Sequence, residues 1–126
     1  MKRTPIAAAL IAVCVFSAVA ETFYITSQVN SFTDEIDRAD SLVLKDEFEK
    51  AVTVCEDIRD RWNESSTLID ALLIHDYVDG IGINLEQMLS HIKSGNPDMY
   101  FSHSAGAKKG LASIKESEFP IIENIL

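Results

Sequence analysis

The sequence predicts an all-α protein, with an N-terminal hydrophobic segment followed by a small bundle of about four helices. Three observations carry that prediction. Apolar residues recur at steps of three and four along most of the chain. No strand-like alternation of useful length occurs. Glycines and prolines number only five and three in 126 residues, so little interrupts the helical stretches. That length allows one domain and leaves no room for a second.

The chain opens with "MKRTPIAAALIAVCVFSAVAE", in which Lys2 and Arg3 precede an uncharged run from Thr4 to Ala20. Positive charge before an apolar run is the pattern of an export signal. Ala18-Val19-Ala20 is a small-x-small triplet suited to cleavage after Ala20. The continuously apolar part, Ile6 to Val19, spans roughly 20 Å as a helix at about 1.5 Å per residue, against about 30 Å for a bilayer core. Phe23, Tyr24 and Ile25 follow, and an uncleaved helix would use them as interfacial anchors. Residues 1–20 therefore read as a signal peptide or signal anchor, and residues 21–126 as the helical domain. Because the basic end stays inside, the domain is expected outside the cytoplasm. It would be secreted after cleavage near Ala20, or held at the cell membrane by a single N-terminal anchor. Cys14 lies inside the apolar run behind the bulky Val13, which does not suit lipid attachment. Cys55 is the one cysteine beyond the run. It reads as a small buried residue on a helix face.

The first helix is expected over Thr22–Leu42, on the stripe Ile25, Val29, Phe32, Ile36 and Ala39, with Asp34, Glu35, Asp37 and Arg38 off it. It is free to continue directly from the hydrophobic segment. The second is expected over Lys45–Asn63, on Phe48, Val52, Cys55, Ile58 and Trp62. The short break near Leu44 makes an antiparallel hairpin of the two. "KDEFEKAVTVCEDI" resembles the second helix of a tetratricopeptide-type repeat, with Ala51 where two helices approach. The third is expected to start at a Ser65 or Ser66 cap and to run to Ile92, stopped by Gly95, with a weak point at Gly80. Gly80 and Gly82 each cost about 1 kcal/mol relative to alanine. The fourth is expected from Pro97 to about Lys115, on Tyr100, His103, Ala107, Leu111 and Ile114. The tail "SEFPIIENIL" is expected to be an extended or short helical cap.

All twenty acidic residues lie from Glu21 onward, so the part beyond the apolar run is more negative than the whole chain at −9. This disfavours nucleic acid and bare anionic lipid as partners. "DGIGINLE" has two glycines but neither the full nucleotide-binding pattern nor a preceding strand. The serines Ser65, Ser66, Ser102 and Ser104 sit at expected caps and turns, and no nucleophile elbow occurs.

His75 and Asp79 are one helical turn apart on one face, a spacing open to a metal, with Asp76 and His91 as further donors. A catalytic metal needs about three converging protein ligands. His91 is roughly 24 Å from His75 along a straight helix at about 1.5 Å per residue. His103 is free to approach either one from the fourth helix. The simpler reading places His75 on the apolar stripe, hydrogen-bonded to Asp79 or to Arg61 and Trp62 of the preceding helix. Arg61, Trp62, His75 and Asp79 thus form an expected structural polar cluster. No catalytic, cofactor-binding or metal-binding residue is assigned, and no cofactor is expected.

In order, the chain shows a basic start, a hydrophobic segment, an acidic helical hairpin, Arg61-Trp62, "LLIHDYVDGI", "NLEQMLSHIKSGN" and a terminal "PIIENIL". This succession resembles the bacterial domain-of-unknown-function family 4363, short helical proteins with an N-terminal membrane-directing segment. The resemblance covers nearly the whole chain. It is most specific at Trp62, His75 with Asp79, Leu85, Ile92 and the closing Glu123-Asn124-Ile125-Leu126. It implies an all-helical fold and a membrane-directed N-terminus, and it transfers no activity. Gly80, Gly82 and the glycine-rich fourth helix depart from it.

The functional expectation is a non-enzymatic, extracytoplasmic helical interaction or scaffold module. It would work through a protein partner or through self-association of the first helix, with the membrane as a further partner if the N-terminus is uncleaved. The competing expectation is a small metal-binding protein or metal-dependent enzyme using His75 and Asp79, with His103 as a further ligand.

Overall fold

The computed structural model describes residues 3–72 and 75–125, with side-chain environments over 3–71 and 76–117. Among the described residues there are four helices and no strand: α1 (Arg3–Leu44), α2 (Phe48–Leu72), α3 (His75–Lys93) and α4 (Pro97–Ile125). α1 packs on α2 and α4, and α3 packs on the same two helices. Each helix thus touches two neighbours around one core. The pairings fix an up-down-up-down course. Phe32 of α1 meets Trp62 of α2, Trp62 faces Gly82 of α3, and His91 of α3 lies beside His103 of α4. α4 closes the ring antiparallel to α1, since Ser104 bonds Asp40 while Lys115 reaches back to Asn30.

The stripe expected on α1 is the one that is buried. Ile25, Val29, Phe32, Ile36, Ala39 and Val43 all face the core. Their alternating steps of four and three are heptad spacing, the period that keeps one seam against its neighbours in an antiparallel bundle. Burying each large apolar side chain contributes about 1.5–3 kcal/mol. α1 runs without a break from the apolar segment into this seam. Before Ile25 none of its described residues is buried.

Two turns at the same end of the bundle use one motif. After α1, Glu47 N–H donates to Leu42 O at 2.9 Å and Asp46 N–H to Val43 O at 3.1 Å. After α3, Asn96 N–H donates to His91 O at 2.9 Å and Gly95 N–H to Ile92 O at 3.3 Å. Both are Schellman closures, which need a left-handed residue just past the helix. Gly95 supplies it at φ 74°, and Asp46 adopts it at φ 59°. Asn96 then caps α4 through Oδ1, which accepts the Met99 N–H at 3.3 Å, and Pro97 takes the first helical position.

Three element boundaries differ from expectation. Ser65 and Ser66 do not start a helix: α2 runs through them to Leu72, and α3 begins at His75. Ser66 Oγ donates to the carbonyl of Asn63 at 3.0 Å, an in-helix bond that removes the need for a cap role. The longer α2 carries Ile69 down to the level of Ile25, Val29 and Ile114, which line one internal seam with it. α3 passes through Gly80 and Gly82 as one helix. α4 continues through Pro120 to Ile125 and does not stop near Lys115. The tetratricopeptide-like detail is not confirmed: the α1–α2 hairpin is antiparallel, but its helices hold 42 and 25 residues, far from the short helix pair of a repeat of about 34 residues.

Candidate functional site

Polar side chains gather at three places, each built where two helices meet. The first is on the α1–α4 seam. Asp40 leaves the apolar stripe one residue after Ala39 and points at α4. Its Oδ1 accepts the Tyr100 hydroxyl at 2.9 Å and the Ser104 hydroxyl at 2.6 Å. Its Oδ2 accepts Lys108 Nζ at 2.9 Å, and Lys108 also donates to Asp37 at 3.1 Å. Tyr100, Ser104 and Lys108 are spaced by four on α4, which lines them up along one face. Tyr100 and Ser104 are buried.

The electrostatics of this knot favour neutral hydroxyls, a neutral thiol and a charged lysine. Burial is the main cause that raises the Tyr100 phenol far above its ordinary range, with the neighbouring Cys55 and the Asp40 charge adding to it. Burial also pushes the Cys55 thiol of α2 up to about 11, against an opposing hydrogen bond from Tyr100. The hydrogen bond to Asp40 is the main cause holding the Lys108 ammonium above its usual value. A serine beside a carboxylate and a lysine has the makings of a nucleophile. Here the serine is 1 % exposed and donates to the carboxylate. The arrangement clamps α4 to α1.

The second place is an open groove of about 490 Å³ between α2 and α3, lined by Trp62, Asn63, Ser66, Val78, Asp79, Gly82, Ile83, Glu86 and Gln87. Two residues of the expected polar cluster, Trp62 and Asp79, therefore share one groove. Trp62 is buried, with its ring edge-on to Phe32 at 5.2 Å between centroids. Asp79 is exposed, because Val78 beside it takes the inward position. Arg61 lies on the other side of α2. It donates to Ser31 Oγ at 3.1 Å and stacks over Phe32 at 5.0 Å, so it turns toward α1 and away from Asp79. His75 opens α3, but its side chain lies outside the described residues, as does any contact it makes with Asp79.

The third place was not assigned from the sequence. His91 and His103 lie 5.3 Å apart between ring centroids, with planes 8° from parallel. His103 Nδ1 is 3.0 Å from Asn84 Oδ1. His103 sits on the expected α4 stripe, and its neighbour across the seam is His91. No pattern within one helix signals that pairing. Only the antiparallel register of α3 and α4 creates it. Among the described residues, no group of three or more histidine, cysteine, aspartate or glutamate side chains converges on one point.

The fold and these sites define an all-helical bundle whose polar groups sit in interhelical seams, carried on one long apolar-ended helix. The model of the "Domain of unknown function (DUF4363)" family matches residues 19–125, and the chain belongs to that family. No curated protein and no solved structure matches the chain.

Proposed function

We propose that the protein is a non-enzymatic helical interaction module, tethered to the membrane by the first part of α1 and standing outside the cytoplasm. The observation that carries this reading is the surface of that helix. Ile6, Leu10, Ile11, Val13, Val15, Phe16, Val19 and Phe23 are all more than half exposed. They lie on a helix that continues unbroken into the bundle. The uncharged stretch Thr4 to Ala20 is about 26 Å long at 1.5 Å per residue, close to the roughly 30 Å of a bilayer core. Lys2 and Arg3 end it on one side and Glu21 begins the acidic part on the other, which suits a basic end retained inside. Such a helix passes the same length and composition test as a signal sequence.

The bundle begins at Ile25, so a membrane-embedded segment would leave it no flexible stalk. It would sit directly on the bilayer face, with its two Schellman turns at the far end. The buried state of Ser104, Cys55 and Tyr100 supports a non-enzymatic reading, since each candidate reactive group is already engaged in packing. The α2–α3 groove supports contact with another protein.

Intact mass and fractionation of the full chain expressed in a bacterial host test the proposal. The expected result is the uncleaved mass in the membrane fraction, with the bundle accessible to protease added outside. A mass that begins at Glu21 in the soluble exported fraction would overturn the tether. A bundle protected from outside protease would overturn the orientation.

A further inference from the structure

We propose, resting on the groove's role in contact with another protein, that the α2–α3 groove receives an extended basic segment of that protein. Its cations would meet Asp79 and Glu86, and one of its backbone carbonyls would accept from the Trp62 indole. The observation that points to a ligand lies at the groove floor. Trp62 is 3 % exposed and lines the groove. Its Nε1–H only donates, and among the described residues nothing accepts from it. The nitrogen is open to the groove and not sealed in the core. A donor on so buried a side chain normally has a partner.

Gly82 keeps that donor uncovered. A Cβ there would lie 3.4 Å from Nε1 and 3.7 Å from Cδ1, an ordinary contact, so packing by itself does not require glycine. Helix propensity argues against glycine inside α3. What glycine provides here is access to the indole N–H. The α3 bank of the groove is acidic with an apolar middle. Asp79 and Glu86 are exposed, and Ile83 between them is 62 % exposed. Arg59 of α2 holds Asp60 at 3.0 Å and reaches Glu86 only at 3.8 Å, so Glu86 keeps capacity for a second cation. The two carboxylates are seven residues apart, about 10 Å along α3 at 1.5 Å per residue. A polyproline-type segment rises about 3.1 Å per residue with three residues per turn, so its residues i and i+3 share one side about 9 Å apart. Lysine or arginine at those two places matches Asp79 and Glu86, with an apolar residue between them over Ile83. Such a segment also has no internal hydrogen bonds, so its carbonyls are available to Trp62, whereas a helix uses its own internally. Extended segments of this kind dock on aromatic-lined grooves.

The test uses the full chain in non-ionic detergent and the end-blocked peptide Lys-Pro-Leu-Lys, with Glu-Pro-Leu-Glu and Gln-Pro-Leu-Gln for comparison. Trp62 is the chain's one tryptophan, so the single indole N–H signal in NMR reports on the groove directly. The basic peptide is expected to shift that signal saturably, and added salt to weaken the binding. Affinity is expected to fall roughly five- to ten-fold in the double variant Asp79→Asn, Glu86→Gln. It is expected to be unchanged in Asp34→Asn, an exposed acid on α1. Gly82→Ala, which favours the helix and so keeps the fold, is expected to weaken binding by covering Nε1. An equal or stronger shift with the acidic or the uncharged peptide would overturn the basic partner and leave the groove as a contact surface. No saturable shift with any of the three would overturn the site, as would full affinity in the double variant. Fractionation, which does not involve the groove, judges the tether separately.

Discussion

Asp40 shows how one residue sets the relation between two helices. It sits a single position off a fully apolar stripe and gathers three donors from α4. A buried network of this kind adds little net stability while intact, because desolvation offsets the attraction. It becomes costly when broken, since the orphaned partners stay buried. Asp40→Ala is therefore expected to cost about 2–4 kcal/mol in urea unfolding. A loss no greater than that of an exposed carboxylate such as Asp34 would mean that Tyr100 and Ser104 find other partners. The chemistry of this residue was hidden in the sequence, where nothing sets Asp40 apart from the other acidic residues of α1. Only its place under Tyr100 and Ser104 of α4 separates it from Asp34, which is exposed, and from Asp37, which meets α4 through Lys108 alone.

At the scale of elements, the glycines of α3 and α4 are not equivalent. Nothing lies within 4 Å of a Cβ placed on Gly80, whereas on Gly110 it would fall 2.7 Å from Ile81 Cγ1. Gly80 thus carries only the cost of glycine in a helix, while Gly110 allows α3 and α4 to approach. Gly80→Ala is expected to raise stability by about 1 kcal/mol. Gly110→Ala is expected to lower it by about 1 kcal/mol or more despite the better helix propensity, through overpacking. Thermal unfolding of the two variants side by side checks the contrast, and equal shifts in the same direction would refute it. Element boundaries divide along similar lines. The α3–α4 turn was legible because Gly95, Asn96 and Pro97 each have local reasons to be there. The α1–α2 turn was located by its short break, although its left-handed residue is Asp46, a type the motif tolerates less well. The end of α2 was misplaced because Ser65-Ser66 looks like a cap. The need to cover Ile25 with Ile69 overrides that local preference.

For the molecule as a whole, the seam around Tyr100 ties stability to pH. Cys55, Tyr100 and Lys108 are all raised in the folded state. The fold therefore holds these protons more tightly than the unfolded chain does. Below the unfolded values this makes no difference to the slope. Above them the unfolded chain releases protons that the fold retains, so stability falls as pH rises. The thermal midpoint is expected to decline from about pH 9, the ordinary thiol value, through the Cys55 value of about 11, and to decline less steeply in Cys55→Ala. A flat profile over that range would show that the seam opens before these groups titrate.

The sequence by itself determined the helical class, the apolar N-terminal segment, the family and the α1 stripe. Each of these is written in local periodicity, composition or residue order, which a single helix expresses without its neighbours. Only the tertiary structure decided which helices share a seam. It placed Asp40 under Tyr100, Ser104 and Lys108, set Gly106 against Asn84, and brought His91 beside His103. It also turned Arg61 toward Phe32 and away from Asp79. Those partners lie far apart in the chain, and the register that joins them is the collective result of packing all four helices. No pattern within one helix encodes it.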